Sequence, residues 1–369
     1  MKTLKKLAIL IEEFALQTPA QQLLDRFLIG YPRNGEFHRL EGCAVSVYLP
    51  NDEKNIELDR RVKDFGLHRE QNLSAATSNA DAVLLVPKGS GAMPDNLLLR
   101  ETFENVPRGC RCFTYGAVSS SLEEAKKTTA LASARKCPFV GGTSLPVAWR
   151  LPQLEVPIGT ALKEALIVIQ GNSPAAELDG LEGLLPLLQR RRGGESGVRR
   201  VRLLNASEIW RAGKEGLWSE RLLAAAISRS DTPQGDPVKD GRTQDLVGLG
   251  LAPKLARDPR GWIIEHFDGL RSAILVLDGV VADFNFALQA RDGSVLSAQI
   301  YRPPAPGQHH FSRLADVLEE FFRTGNPPWP IERNVLTAGL LEAFRRCHAH
   351  SEARSETPEL KISYSTTRH

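Results

Sequence analysis

Apolar residues in the first 147 positions come in short unbroken runs, and the stretches between them show helical spacing. Leu7 to Ile11 reads as a strand buried on both faces, and the Thr18–Pro19 pair as a helix N-cap followed by proline at the first helical position. Residues 43–50, 80–87, 111–116 and 138–144 repeat the strand pattern. The segment 56–66 predicts a helix closed by glycine, and 121–136 a serine-capped helix with acids early and bases late, as the helix dipole favours. Strands alternating with helices predict a doubly wound parallel sheet, so residues 1–147 form a Rossmann-like α/β domain.

Beyond this point the pattern changes. The stretch 262–302 contains Asp-Gly at 268–269, 278–279 and 292–293, each between β-rich runs. Asp-Gly is a strong hairpin signal, so an antiparallel meander of four strands is predicted. Helical spacing at 181–192, 219–229, 311–323 and 332–349 surrounds it. Residues 148–369 therefore read as an α+β domain with a mainly antiparallel sheet, its C-terminal helix and strand packing back. The Pro-, Gly- and charge-rich stretch 230–244 reads as an exposed loop. Apolar positions on both faces of 273–289 predict that both faces are covered, and hence an oligomer.

Composition narrows the function classes. In 369 residues, 47 basic side chains nearly balance 44 acidic ones, which argues against nucleic-acid or membrane partners. No run approaches the length of a membrane span, and two glutamates interrupt the only apolar run near the N-terminus, so a cytoplasmic protein is expected. The five cysteines (Cys43, Cys110, Cys112, Cys137, Cys347) form no CxxC pair and read as reduced thiols. Cys110 and Cys112 share one side of a strand and read as small buried hydrophobes, with nothing nearby in sequence to activate a thiolate. His309 and His310 are neighbours that do not share a helix face, so no metal site is expected. In "RRRGGESGVRRV" (190–201), Arg190 to Arg192 read as cations at a helix end, with Gly193 or Gly194 as the left-handed cap.

Five segments carry a resemblance: "GGTSLPVAWRLP" (141–152), "LEGLLPLLQRRRGGESGVRRV" (181–201), "WSERLLAAAISR" (218–229), "NPPWPIERNVLTAGLLEA" (326–343) and "ETPELKISY" (356–364). Together they resemble the Gfo/Idh/MocA family of sugar and polyol oxidoreductases, in particular divergent bacterial members without the full glycine-rich fingerprint. The resemblance implies NAD or NADP as cofactor, a sugar, polyol or keto-sugar as ligand, and assembly as a homo-oligomer or with a homologue. It also implies a lysine after the fifth strand, where this chain has Gly116, and a histidine where it has Asp179. The positions implied around a dinucleotide are Glu12, Phe14 and Thr18 after the first strand, with Pro87 and Lys88 after the strand 80–87. Glu12 and Glu13 would put negative charge beside its phosphates.

Two readings stay open. In the first, an enzyme with altered groups uses Asp179 or Glu182 as base and Lys88 or Tyr115 as acid or oxyanion stabiliser. There Asp179, in the first turns of its helix, is held ionised by the dipole and pairs with Lys88. In the second, a non-catalytic relative binds a ligand or completes a hetero-oligomer with an active homologue.

Overall fold

A computed structural model describes residues 4–50, 55–89, 91, 96–171, 174–231, 245–350 and 354–366. The loop expected at 230–244 lies almost entirely outside the described residues. The chain folds into two compact units: Met1–Ala148 with Pro303–Ala338, and Trp149–Arg302 with Gly339–His369. Residues 303–338 thus count with the first unit, whereas the sequence reading runs the second domain from 148 to the end. The helices are α1 (Pro19–Leu28), α2 (Ile56–Phe65), α3 (Leu73–Thr77), α4 (Asn96–Asn105), α5 (Leu122–Ala134), α6 (Pro174–Leu188), α7 (Ala206–Lys214), α8 (Glu220–Ile227), α9 (Ala252–Leu255), α10 (His310–Thr324) and α11 (Ile331–His350).

The strands of the first unit are β1 (Lys6–Ile11), β2 (Tyr31–Arg33), β3 (Glu36–His38), β4 (Ala44–Tyr48), β5 (His68–Arg69), β6 (Ala82–Val86), β7 (Arg111–Tyr115) and β8 (Phe139–Gly142). Among the described residues, six of them form a parallel sheet in the order β5-β4-β1-β6-β7-β8. Chain order reverses beside β1, which pairs with β4 on one side and β6 on the other. In such sheets ligands bind outside the carboxyl ends of the strands at this reversal. Local signals hold well: Asn55 caps α2 by accepting from the Leu58 amide at 3.0 Å, and Gly66 closes it at φ 67°. Thr18 takes the N-cap backbone conformation of α1, but its hydroxyl donates to the Ala15 carbonyl at 2.7 Å instead of capping the helix. The β2–β3 hairpin, turning at Asn34 and Gly35 (φ 50° and 85°), is not in the sequence reading, although Asn-Gly is a strong hairpin signal.

The second unit adds β9 (Arg150–Leu151), β10 (Leu162–Ile169), β11 (Val198–Asn205), β12 (Arg257–His266), β13 (Arg271–Asp278), β14 (Phe284–Ala290), β15 (Val295–Ile300) and β16 (Arg354–Glu356). They form a sheet of order β16-β11-β12-β13-β10-β14-β15-β9. The predicted meander needs a correction. β12–β13 and β14–β15 are antiparallel neighbours, but β10 lies between β13 and β14 and runs parallel to β13. Asp278-Gly279 therefore turns the chain without making a hairpin; the Gly171 amide donates to the Asp278 carboxylate at 2.9 Å instead.

Both faces of this sheet are covered from within the chain. On one side α6 lies close because Gly180 and Gly183 have no side chains; a Cβ at either would come within 2.6 Å of Ile274 or Ile167. On the other, Leu166, Val168, Ala273 and Leu275 pack with Trp218, Leu222, Leu223 and Ala226 of the α7–α8 segment. The apolar positions that prompted the oligomer expectation are thus satisfied inside one chain.

Candidate functional site

At the strand reversal of the first unit, Glu12 closes the gap between the strand ends. Its carboxylate accepts the Lys88 backbone N–H at 2.8 Å, and its own amide donates to the Val86 carbonyl at 3.2 Å. Phe14 is 6% exposed and belongs to the core beneath, with the Arg61 guanidinium 5.1 Å from its ring centre. The Asn55 side chain donates to the Phe14 carbonyl at 3.0 Å, and the Gln17 amide donates to the Gln21 side chain at 2.7 Å. Pro87 is buried. The Lys88 ammonium is exposed and lies 3.9 Å from Glu13. Glycines normally let backbone amides touch a pyrophosphate at this turn. Here a buried aromatic ring, side-chain-bound backbone groups and two carboxylates stand instead. These residues do not fit a pyrophosphate.

Gly116, where the resemblance implies a lysine, is closely packed. Gly116 (φ +89°) lies directly against the backbone of Gly91, so a Cβ there would sit 2.6 Å from the Gly91 carbonyl oxygen. That same oxygen accepts the Ala117 amide at 2.9 Å, and the Gly116 amide donates to Gly142 at 2.9 Å. Gly141 is clamped in turn by Asn334, whose side chain bonds its amide and its carbonyl at 3.1 and 2.7 Å, and by Trp329 Nε1 at 2.9 Å. Tyr115, just before Gly116, is 7% exposed with its ring centre 5.9 Å from that of Phe311.

In the second unit Asp179 lies on α6 beside Arg302, whose Nη1 donates to its carboxylate at 3.2 Å. The Arg302 guanidinium also sits 4.7 Å from the Phe284 ring centre. Burial pushes the Asp179 pKa up, and Arg302 only partly offsets it. Since α6 starts at Pro174, Asp179 lies beyond its first turn, where the dipole effect has faded. Glu182, one turn on, is 1% exposed. Sequence reasoning missed Arg302; its one signal is a cation at the end of an apolar strand, just before two prolines.

The arginine run supplies a second arrangement that sequence did not reveal. Arg191 does donate to the Leu188 carbonyl at 3.0 Å, as a helix-end cation should. Its other bonds go to Glu195 (2.9 and 3.0 Å), Asp268 (2.7 Å) and the Ser196 hydroxyl (3.3 Å). Glu195 also accepts the amides of Ser196 and Gly197 and meets His266 Nδ1 at 2.8 Å; His266 Nε2 lies 3.0 Å from Ser272 Oγ. The order carboxylate–imidazole–hydroxyl is that of an activated serine. Yet Glu195, His266 and Ser272 are 0, 1 and 0% exposed. Burial opposes ionisation of Glu195, but His266 and Arg191 outweigh it and hold its pKa at about 2. Among the described residues, no group of three or more metal-ligating side chains is placed to hold an ion, and no helix is long and apolar enough to cross a membrane.

The architecture is the two-domain fold of Gfo/Idh/MocA-type dehydrogenases. A myo-inositol dehydrogenase from Lactobacillus casei, solved with NAD(H) and myo-inositol, superposes with a TM-score of 0.56 at 12% identity, covering 99% of each chain. A myo-inositol 2-dehydrogenase from Lactobacillus plantarum gives 0.58 at 9% identity over 96% of this chain and 99% of that one. Biliverdin reductase from Synechocystis, solved with biliverdin and NADP+, gives 0.53 at 12% identity over 93% and 99%. No protein-family model matches the sequence, and no curated protein does. At such identities the likeness establishes the fold and leaves the chemistry to the residues.

Proposed function

We propose that this chain is a non-catalytic protein on an oxidoreductase fold, which binds a small polyhydroxylated molecule through the Asp179–Arg302 pair without transferring hydride. The observation that carries this reading is the Gly116–Gly91 backbone contact, which leaves no room for an acid/base side chain where the family resemblance implies a lysine. Glu12 and Phe14 at the β1 end add to it, since neither favours a dinucleotide phosphate. A carboxylate beside a guanidinium suits vicinal hydroxyls, which donate to one and accept from the other.

Myo-inositol is the first probe, because one structural neighbour was solved with it. Melting temperature is followed with myo-inositol, glucose and gluconate, and absorbance at 340 nm with the same compounds plus NAD or NADP. One of the three is expected to raise the melting temperature of the wild type and not of Asp179→Asn, with no change at 340 nm. The enzyme reading has one observation in its favour: burial raises the Asp179 pKa, as suits a general base. In that case Asp179 serves catalysis. Turnover at 340 nm that falls roughly a hundredfold in Asp179→Asn would establish it and overturn our proposal.

A further inference from the structure

The β2–β3 hairpin stands away from the ligand crevice of its sheet. It joins the end of α1 to the start of β4, so it lies at the amino ends of the parallel strands, whereas ligands of such sheets bind at the carboxyl ends. Gly30 (φ +120°) makes room for it: a Cβ there would sit 2.4 Å from the His38 carbonyl oxygen and 2.7 Å from the Phe37 ring. Glu319 of α10, 5% exposed, fastens the return strand. One of its carboxylate oxygens lies 2.6 Å from His38 Nε2, and the other accepts Arg323 Nε at 2.9 Å. Arg33 pairs with Asp316, a turn earlier on α10, at 2.9 Å.

Between the hairpin and the end of α10 lies a cavity of about 520 Å³, within the usual range for small-molecule sites, roughly 300–1,000 Å³. The Phe37 ring lines it and is 57% exposed, which leaves an aromatic surface open to a ligand. The Arg39 guanidinium lies 5.9 Å from the ring centre. Three arginines would suit an anion, but the neighbouring acids decide against one. Asp316 and Glu319 already pair with Arg33 and Arg323, and Glu36 and Glu41 line the same cavity, so four carboxylates face three guanidiniums. Among the described residues Arg39, Glu36 and Glu41 make no ion pair. Such a wall suits a neutral molecule that donates to carboxylates, accepts from a guanidinium and lays an apolar face on an aromatic ring. A pyranose has hydroxyls around its edge and C–H groups on its face.

We infer that the hairpin cavity binds a neutral hexopyranose unit, with its C–H face on Phe37 and its hydroxyls between Arg39 and the carboxylates of Glu36 and Glu41. This site shares no residue with the Asp179–Arg302 pair of the second unit, and it stands whether or not that pair takes a ligand.

The test uses the full chain carrying Asp179→Asn, which removes that pair from the measurement. The probes are the methyl glycosides of glucose, galactose and mannose, whose rings are locked as pyranoses. Saturation-transfer NMR should show one of the three bound, with transfer strongest at the C–H protons of one ring face. Adding Phe37→Ala should weaken this binding roughly tenfold, the scale of one lost aromatic contact. Arg39→Ala should weaken it too. Both side chains are exposed, so neither substitution should lower the melting temperature. No transfer to any of the three glycosides, or transfer that survives both substitutions, would overturn the inference. Displacement of the bound glycoside by inorganic phosphate would also overturn it, by making the cavity an anion site.

Discussion

At the strand ends of the first unit Gly116 lies against Gly91, Phe14 is buried, and the carboxylate of Glu12 is bonded to a backbone amide. At the Glu195 centre of the second unit hydroxyl, imidazole and carboxylate are aligned at 3.0 and 2.8 Å, and all three are sealed from solvent. The first region lies at the strand reversal where such sheets bind ligands, and the second holds an aligned triad that is buried. Geometry among side chains is therefore no sufficient sign of catalysis. Access and a surface for the substrate are separate requirements. In the second region charge serves cohesion, since Glu195 ties residues 191–197 to β12.

Substitutions in each region test this contrast. The largest effect is expected for Glu195→Ala, which leaves Arg191 and His266 buried without their carboxylate; loss of one partner of a buried pair costs about 3–5 kcal/mol. Urea unfolding at pH 7 measures it, and a loss below about 1 kcal/mol would show that the network does not hold the unit together.

Acid comes next. Glu195 binds its proton more weakly folded than unfolded, so its stabilisation is complete above its ordinary value of 4.5 and fades as pH falls toward about 2. About 3 kcal/mol should disappear across that window, by the usual conversion of a pKa difference. Glu195→Gln should flatten that part of the curve; an unchanged slope would assign the acid sensitivity to other carboxylates.

Restoring the implied lysine by Gly116→Lys should destabilise by about 2–3 kcal/mol, combining a positive φ with a clash against Gly91. No NAD-dependent activity should appear. A stable variant that turns over a polyol at 340 nm would show that this corner can open.

The smallest effect is expected for Ser272→Ala, about 1 kcal/mol for one buried hydrogen bond. Hydrolysis of p-nitrophenyl acetate should not change. Wild-type hydrolysis lost in this variant would make the Glu195 centre a working site.

Features set by neighbouring residues were legible in sequence. The alternation of strands and helices, the Asn55-to-Gly66 helix and the turns at 268–269 and 292–293 all rest on local conformational preference. Asn34-Gly35 carried the same signal and went unread. What sequence concealed depends on distant partners: β10 inserted beside β13, Arg302 reaching an aspartate 123 positions earlier, and Glu195 meeting His266 across 71. The surroundings of Asp179 are of the same kind: burial, which raises its pKa, and Arg302, which lowers it, are both properties of the folded chain.

Whether the first unit accepts a dinucleotide decides between the two readings of this protein. Isothermal titration of the full chain with NADH and NADPH, up to about 1 mM to span the usual range of cofactor and substrate constants, tests this most directly. No saturable heat is expected for either, because Glu12 and Phe14 follow β1 in the turn where glycines of dinucleotide-binding folds present backbone amides to the pyrophosphate. One-to-one binding with a micromolar dissociation constant would contradict this.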